Sequence, residues 1–126
     1  MTSNIKLLSR LTASRDGAKM KRVGSVIGIA PGAREEYERI HAAVWPEILQ
    51  QIRKSHIQNY SIYRHGDLLF SYFEYVGEDY EGDMKAMGDD PKTQEWWSLT
   101  IPMQAPMDDR AEGEWWKTLP EVFHTD

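Results

Sequence analysis

From Tyr37 to Ile52 the chain repeats an apolar or aromatic position every three to four residues. Tyr37, His41, Val44, Trp45, Ile48, Leu49 and Ile52 form one stripe, with charged and polar residues between. The period predicts a helix from about residue 33 to about 55, kinked or broken in two at Pro46, where the ring crowds the preceding turn and an N–H is lost. Before it, Val23 to Ala30 (VGSVIGIA) is rich in β-branched residues and reads as a strand. Its glycines, Gly24 and Gly28, suggest close approach of another backbone. Pro31-Gly32 then breaks the chain.

After the helix, the period changes to two. Ile57 to Arg64 predicts a second strand, with Ile57, Asn59, Ser61 and Tyr63 on one face and Tyr60 and Ile62 on the other. His65-Gly66-Asp67 is a turn signal, and Leu68 to Val76 is a third, strongly apolar strand that should pair antiparallel with the second. Gly77 closes this hairpin. Glu78 to Met87 reads as helix, with Tyr80, Met84 and Met87 on one side. Asp89-Asp90-Pro91 is a helix start leading into KTQEWWSLTIPM. Residues 102–113 read as a loop, and a short strand is expected around Glu121-Val122-Phe123. The order β-α-β-β-α-β predicts an α+β, ferredoxin-like fold, an antiparallel sheet with helices on one face. Its other face would be bare, and pairing sheet to sheet with a second copy would cover it. A homodimer through the sheet face is therefore expected.

The 126 residues suffice for one domain with one core. We place it at 20–126. In the segment 1–19, Lys6, Arg10, Arg15 and Lys19 stand against the single acid Asp16, and Leu7, Leu8 and Leu11 make too short a patch for a signal-peptide core. That segment reads as an appendage to a domain starting at Met20-Lys21-Arg22. The net charge of −5, with no Lys/Arg run longer than two, argues against nucleic acid as a partner. The chain has no cysteine, which excludes disulfides, thiolate catalysis and Cys-ligated metal sites and fits a cytoplasmic protein. No apolar run approaches the ~20 residues needed to cross a bilayer, so no membrane partner is expected.

Five tryptophans are many for this length. Trp96-Trp97 sits on one predicted helix, where adjacent side chains diverge by about 100°. One should pack inward while the other lines a cavity or a contact surface. Trp115-Trp116 suits packing or interface closure. Of the four histidines, His41 alone lies on the amphipathic stripe, between Tyr37 and Trp45. An imidazole there can give and take protons near neutral pH. On spacing alone, a half-buried structural histidine is the favoured reading of His41, and ordinary core-edge tyrosines are the favoured readings of Tyr37 and Tyr60. No second histidine or carboxylate sits at metal-ligand spacing on its inner face, so a His-based metal site is disfavoured. There is no P-loop, no dinucleotide fingerprint and no Gly-x-Ser-x-Gly elbow.

Jointly, the segments EEYERIHAAVWPEI, SHIQNYSIYRHGDLLFSYFEY, TQEWWSLT and the terminal EVFH resemble the L-rhamnose mutarotases from about Lys21 to the end. The resemblance implies a dimeric ferredoxin-like fold and interconversion of the α and β anomers of a 6-deoxy-L-hexopyranose. It also implies that no cofactor is used. A proton-donating histidine falls on His41, substrate-binding tyrosines on Tyr37 and Tyr60, and a substrate-binding tryptophan pair on Trp96 and Trp97. His41 would act as the acid toward the ring oxygen. The arm before Met20, the acid- and glycine-rich segment GEDYEGDMKAMGDDPKTQ and the Trp115-Trp116 pair depart from the family pattern. The last two bear on sugar identity more than on reaction type. An L-fucose mutarotase, a non-catalytic sugar-binding module and the cofactor-free oxygenases and cyclases that share the fold are the competing readings.

Overall fold

Strand β1, Lys21–Ile29, is the centre of the molecule and is buried along most of its length, as its β-branched composition requires. The structure is a computed structural model that describes residues 20–126, so the predicted appendage 1–19 lies outside the described residues. β1 pairs antiparallel with β3, Leu68–Tyr75, and β3 pairs in turn with β2, Ile57–His65. On its other side, β1 takes two short strands, β4 at Gln104–Ala105 and β5 at Lys117–Leu119. The path through the sheet is β2-β3-β1-β4, with β5 also on β1. Gly28 is where β4 approaches: a Cβ there would lie 2.7 Å from the Ala105 carbonyl oxygen, so no larger residue fits without moving β4.

Four α-helices complete this α+β chain among the described residues: α1 at Arg34–His41, α2 at Pro46–Lys54, α3 at Tyr80–Asp89 and α4 at Pro91–Thr100. The predicted break at Pro46 is complete. α1 ends at His41, and α2 restarts with Pro46 in the first turn, where its missing N–H costs nothing. Trp45 is therefore not on the helix of Tyr37 and His41 but in extended backbone ahead of α2. The restart also shifts the phase of the stripe: Ile48 is buried, while Leu49, expected inward, is exposed. The Asp90 carboxylate accepts from Thr93 N at 2.9 Å and caps α4, as Asp89-Asp90-Pro91 predicts.

Alternation along the register gives the sheet an inner face with Val23, Ser25, Ile27 and Ile29 of β1 and Leu69, Ser71, Phe73 and Tyr75 of β3. Ile27, Ile29, Leu69 and Tyr37 of α1 form the core cluster, joined by Ala33, Ile62, Met103 and Trp116. The predicted alternation of β2 fails at a bulge between Gln58 and Ser61, where Asn59 takes φ 49°. Ile57, Tyr60 and Ile62 consequently share the inner face, while Ser61 and Tyr63 turn outward. Tyr63 and Phe70 are cross-strand partners on the outer face and both are exposed. The terminal strand expected at 121–123 is at Lys117–Leu119 instead, because that segment reaches the edge of β1. Val122 and Phe123 are exposed and outside any strand. The expected loop 102–113 also contains β4. No helix of the described residues is long and apolar enough to cross a membrane.

Candidate active site

α1 carries Tyr37 and His41 one turn apart, so their rings meet. They stack with centroids 4.1 Å apart and planes at 21°. His41 Nδ1 lies 2.7 Å from the Tyr37 carbonyl oxygen. A carbonyl only accepts, so Nδ1 carries the hydrogen and Nε2 holds the lone pair of the neutral ring. Trp96 of α4 meets His41 edge-on at 5.3 Å and Trp45 edge-on at 5.1 Å. The four residues form one aromatic cluster between α1, the 42–45 turn and α4. Burial holds His41 below the ordinary histidine value, and its bond to the Tyr37 carbonyl pulls the other way.

Tyr37 is almost fully buried. Its hydroxyl oxygen accepts from Gln104 Nε2 at 3.2 Å, and Gln104 Oε1 accepts from Trp115 Nε1 at 2.8 Å. Burial raises the pKa of the Tyr37 hydroxyl, with the Gln104 donor acting against the rise. Tyr60 comes to the same region from β2. It exposes 41% of its surface, yet burial of its hydroxyl end pushes its pKa up to about 12, with the nearby Tyr37 hydroxyl adding to the rise. Its ring packs edge-on against Phe73 at 5.5 Å.

Tyr60 lines a cavity of about 350 Å³ over the inner sheet face, within the range usual for small-molecule sites, about 300–1,000 Å³. Val23, Ser25, Ser71 and Phe73 make the floor, and Tyr80 and Met84 of α3 make one wall. Glu114, Trp116 and Thr118 close the side nearest β5. Ser25 and Ser71 share a hydrogen bond at 2.5 Å. Trp116 belongs to both regions, packing on the Tyr37 core cluster and lining the cavity. A larger hollow of about 550 Å³ runs along residues 108 and 110–115, but none of Tyr37, His41, Tyr60 or Trp96 lines it. The cavity at Tyr60 is the better candidate because aromatic, hydroxyl and carboxylate groups converge there.

The fold thus gathers Tyr37, His41 and Trp96 and brings the Tyr60 hydroxyl near that of Tyr37; of these four residues only Tyr60 lines the cavity. It does not bring Trp97 into that cluster. Trp96 is 6% exposed and Trp97 36%, with the Trp97 ring against Gly88 at the end of α3. One ring inward and one outward is the division that adjacency on a helix predicts. Gln104, Trp115 and the cavity residues Ser25, Ser71 and Glu114 escaped the sequence reading as site residues. Only the excess of tryptophan pointed toward this end of the chain.

A family profile described as L-rhamnose mutarotase matches residues 22–125. An L-rhamnose mutarotase from Phocaeicola vulgatus is 35% identical over 109 residues, which cover 85% of this chain and all of the relative. An L-fucose mutarotase from Xanthomonas campestris is 36% identical over 92 residues, covering 70% of this chain and 73% of the relative. The crystal structure of an L-rhamnose mutarotase from Formosa agariphila superposes with a TM-score of 0.64 at 20% identity, over 84% of this chain and 99% of that one, which shows the shared fold.

Proposed function

The chain belongs to the L-rhamnose mutarotase family, and from that premise we propose that it interconverts the α and β anomers of L-rhamnose by general acid–base ring opening and closure. The observation that carries the mechanism is the fixed tautomer of His41: Nδ1–H is committed to the Tyr37 carbonyl, so Nε2 is the nitrogen left for the sugar. In ring opening, the protonated Nε2 donates to the ring oxygen as the C1–O bond breaks and the anomeric hydroxyl loses its proton. The C1–C2 bond rotates. In closure the C5 hydroxyl attacks the aldehyde carbon, neutral Nε2 takes its proton, and the proton given up by the anomeric hydroxyl returns to the carbonyl oxygen from the base or solvent that held it. Nothing is oxidised and no group leaves. General acid–base catalysis is worth about 10²–10⁴-fold, which one held imidazole with hydroxyl partners can supply. Burial makes the His41 imidazolium a stronger acid than an ordinary one.

In this reading, Tyr60 and Tyr37 hold sugar hydroxyls and Trp96 walls the histidine. Trp97 contacts the sugar from the α3 side. Support comes from the nearness of the two tyrosine hydroxyls and from the place of Tyr60 in the lining of a cavity with serine and carboxylate groups. We read the strand order β2-β3-β1-β4 with its helical crossovers as ferredoxin-like, and the outer face with Tyr63 and Phe70 as the seat of a second copy. A cytoplasmic location suits the cysteine-free chain. The relative from Xanthomonas campestris, described as an L-fucose mutarotase, favours L-fucose as the second candidate.

Saturation-transfer NMR of anomer exchange tests the substrate. The protein should speed exchange in L-rhamnose more than in L-fucose. Equal or greater acceleration with L-fucose reverses the preference, and none with either sugar leaves a binding module.

A further inference from the structure

Three residues from separate parts of the chain form one line of hydrogen bonds that ends at Tyr37. The indole Nε1–H of Trp115 donates to Gln104 Oε1 at 2.8 Å, and Gln104 Nε2–H donates to the Tyr37 hydroxyl oxygen at 3.2 Å. An indole nitrogen donates and never accepts. Trp115 therefore fixes the carboxamide oxygen on its own side and turns the amide hydrogens toward Tyr37. With its oxygen accepting from Gln104, the Tyr37 hydroxyl keeps its own hydrogen for another acceptor. Were the carboxamide reversed, its oxygen would capture that hydrogen.

Both anchors are held by contacts other than those to Tyr37. Gln104 lies in β4, where Ile29 is its partner in register. The Trp115 loop is closed by Glu114, which accepts from Ala111 N at 3.0 Å, and by Arg110, which donates to the Glu114 carbonyl at 2.9 Å. The residue they act on also orients the imidazole, since Tyr37 stacks on His41 and takes its Nδ1–H.

We propose that Gln104 and Trp115 are positioning residues for mutarotation, holding the Tyr37 hydroxyl as a hydrogen-bond donor toward the sugar. This rests on the reading that the chain is a mutarotase working through His41 and Tyr37. Gln104→Glu separates donor orientation from mere packing. It keeps the size of the side chain, but its carboxylate accepts from both Trp115 and Tyr37 and so withdraws the Tyr37 hydrogen. A neutral hydrogen bond lost in this way corresponds to about a tenfold effect. For Gln104→Glu, KM for L-rhamnose should rise about tenfold with kcat changed less than about twofold, the pattern of a contact made equally in ground and transition states. The deficit, taken as a ratio to wild type at each pH, should shrink as the pH falls and the new carboxylate protonates, because a protonated carboxyl can again donate to Tyr37. Trp115→Phe keeps the ring and loses the N–H, freeing the carboxamide to turn. Its KM should rise about threefold, with no pH dependence of the ratio, because a reversed amide captures the hydrogen only part of the time.

Wild-type KM in Gln104→Glu at every pH, or a deficit that does not change with pH, overturns the proposal. If Gln104→Glu does not fold, unchanged KM in Trp115→Phe overturns it. A wild-type protein that does not accelerate exchange removes the mutarotase reading and this proposal together. An active wild type with indifferent variants removes this proposal alone.

Discussion

His41 is one residue with two measurable consequences. Burial lowers its pKa from the ordinary 6.5, so the unfolded chain binds a proton more readily than the folded one. Stability is therefore greatest above about pH 6.5 and is lost as the pH falls from there toward the lowered folded value. Urea midpoints at pH 7.5 and 5.5 check this: the wild type should lose more stability on acidification than His41→Gln does, and an equal loss contradicts the shift. The same pKa sets a sign for catalysis. If His41 is the acid at the ring oxygen, kcat/KM falls as the pH rises through the lowered histidine range. A rate that instead rises across that range assigns His41 to the anomeric hydroxyl as a base. At this scale the sequence was informative for Tyr37 and His41, because residues four apart on a helix are neighbours on one face. It was silent about Gln104, whose partners are 67 and 11 positions away and meet it only through tertiary packing.

The elements explain why part of the pattern was legible and part was not. Caps and prolines are local signals: Asp90-Pro91 starts α4, and Pro46 starts α2, where the sequence places them. Strand faces are not local once a bulge intervenes. The extra residue near Asn59 put Ile57 on the face of Tyr60 and Ile62, contrary to simple alternation. Edge strands are set by what they reach, which is why β5 formed at Lys117–Leu119 and left the apolar Val122 and Phe123 exposed. The α4 cap carries a direct prediction. Asp90 accepts from both Thr93 N and Thr93 Oγ1 at 2.9 Å, so Asp90→Ala should destabilise the fold by about 1 kcal/mol. Urea denaturation monitored by tryptophan fluorescence would read it, and an unchanged midpoint would show that the cap contributes nothing. Because α4 positions Trp96 against His41, the same variant should also slow anomer exchange, though less than loss of His41 itself.

For the whole molecule, the core cluster lies on the inner face of the sheet, and the outer face combines buried Val26 with exposed aromatics. On that outer face Tyr63 is 68% exposed and Phe70 37%, side by side in register. Exposed aromatic pairs on a bare sheet are suited to a second copy of the same face. Sedimentation should give twice the 14.6 kDa chain mass, and Phe70→Glu should shift the protein to monomer by putting an unpaired charge into an apolar contact. A wild-type monomer at micromolar concentration contradicts the dimer. The proposed site combines long-range pieces: α1 gives Tyr37 and His41, β2 gives Tyr60, α4 gives Trp96, and β4 with the loop after it gives Gln104 and Trp115, the polar anchor of Tyr37. Only the first is continuous in sequence.

In the proposed mechanism His41 moves the proton in sugar anomer exchange. Saturation-transfer NMR on L-rhamnose at neutral pH, comparing wild type with folded His41→Ala, isolates that role. Wild type should speed exchange, and His41→Ala should lose about 10²–10⁴-fold of that acceleration, falling toward the spontaneous rate. A folded His41→Ala protein that exchanges anomers at the wild-type rate would contradict it.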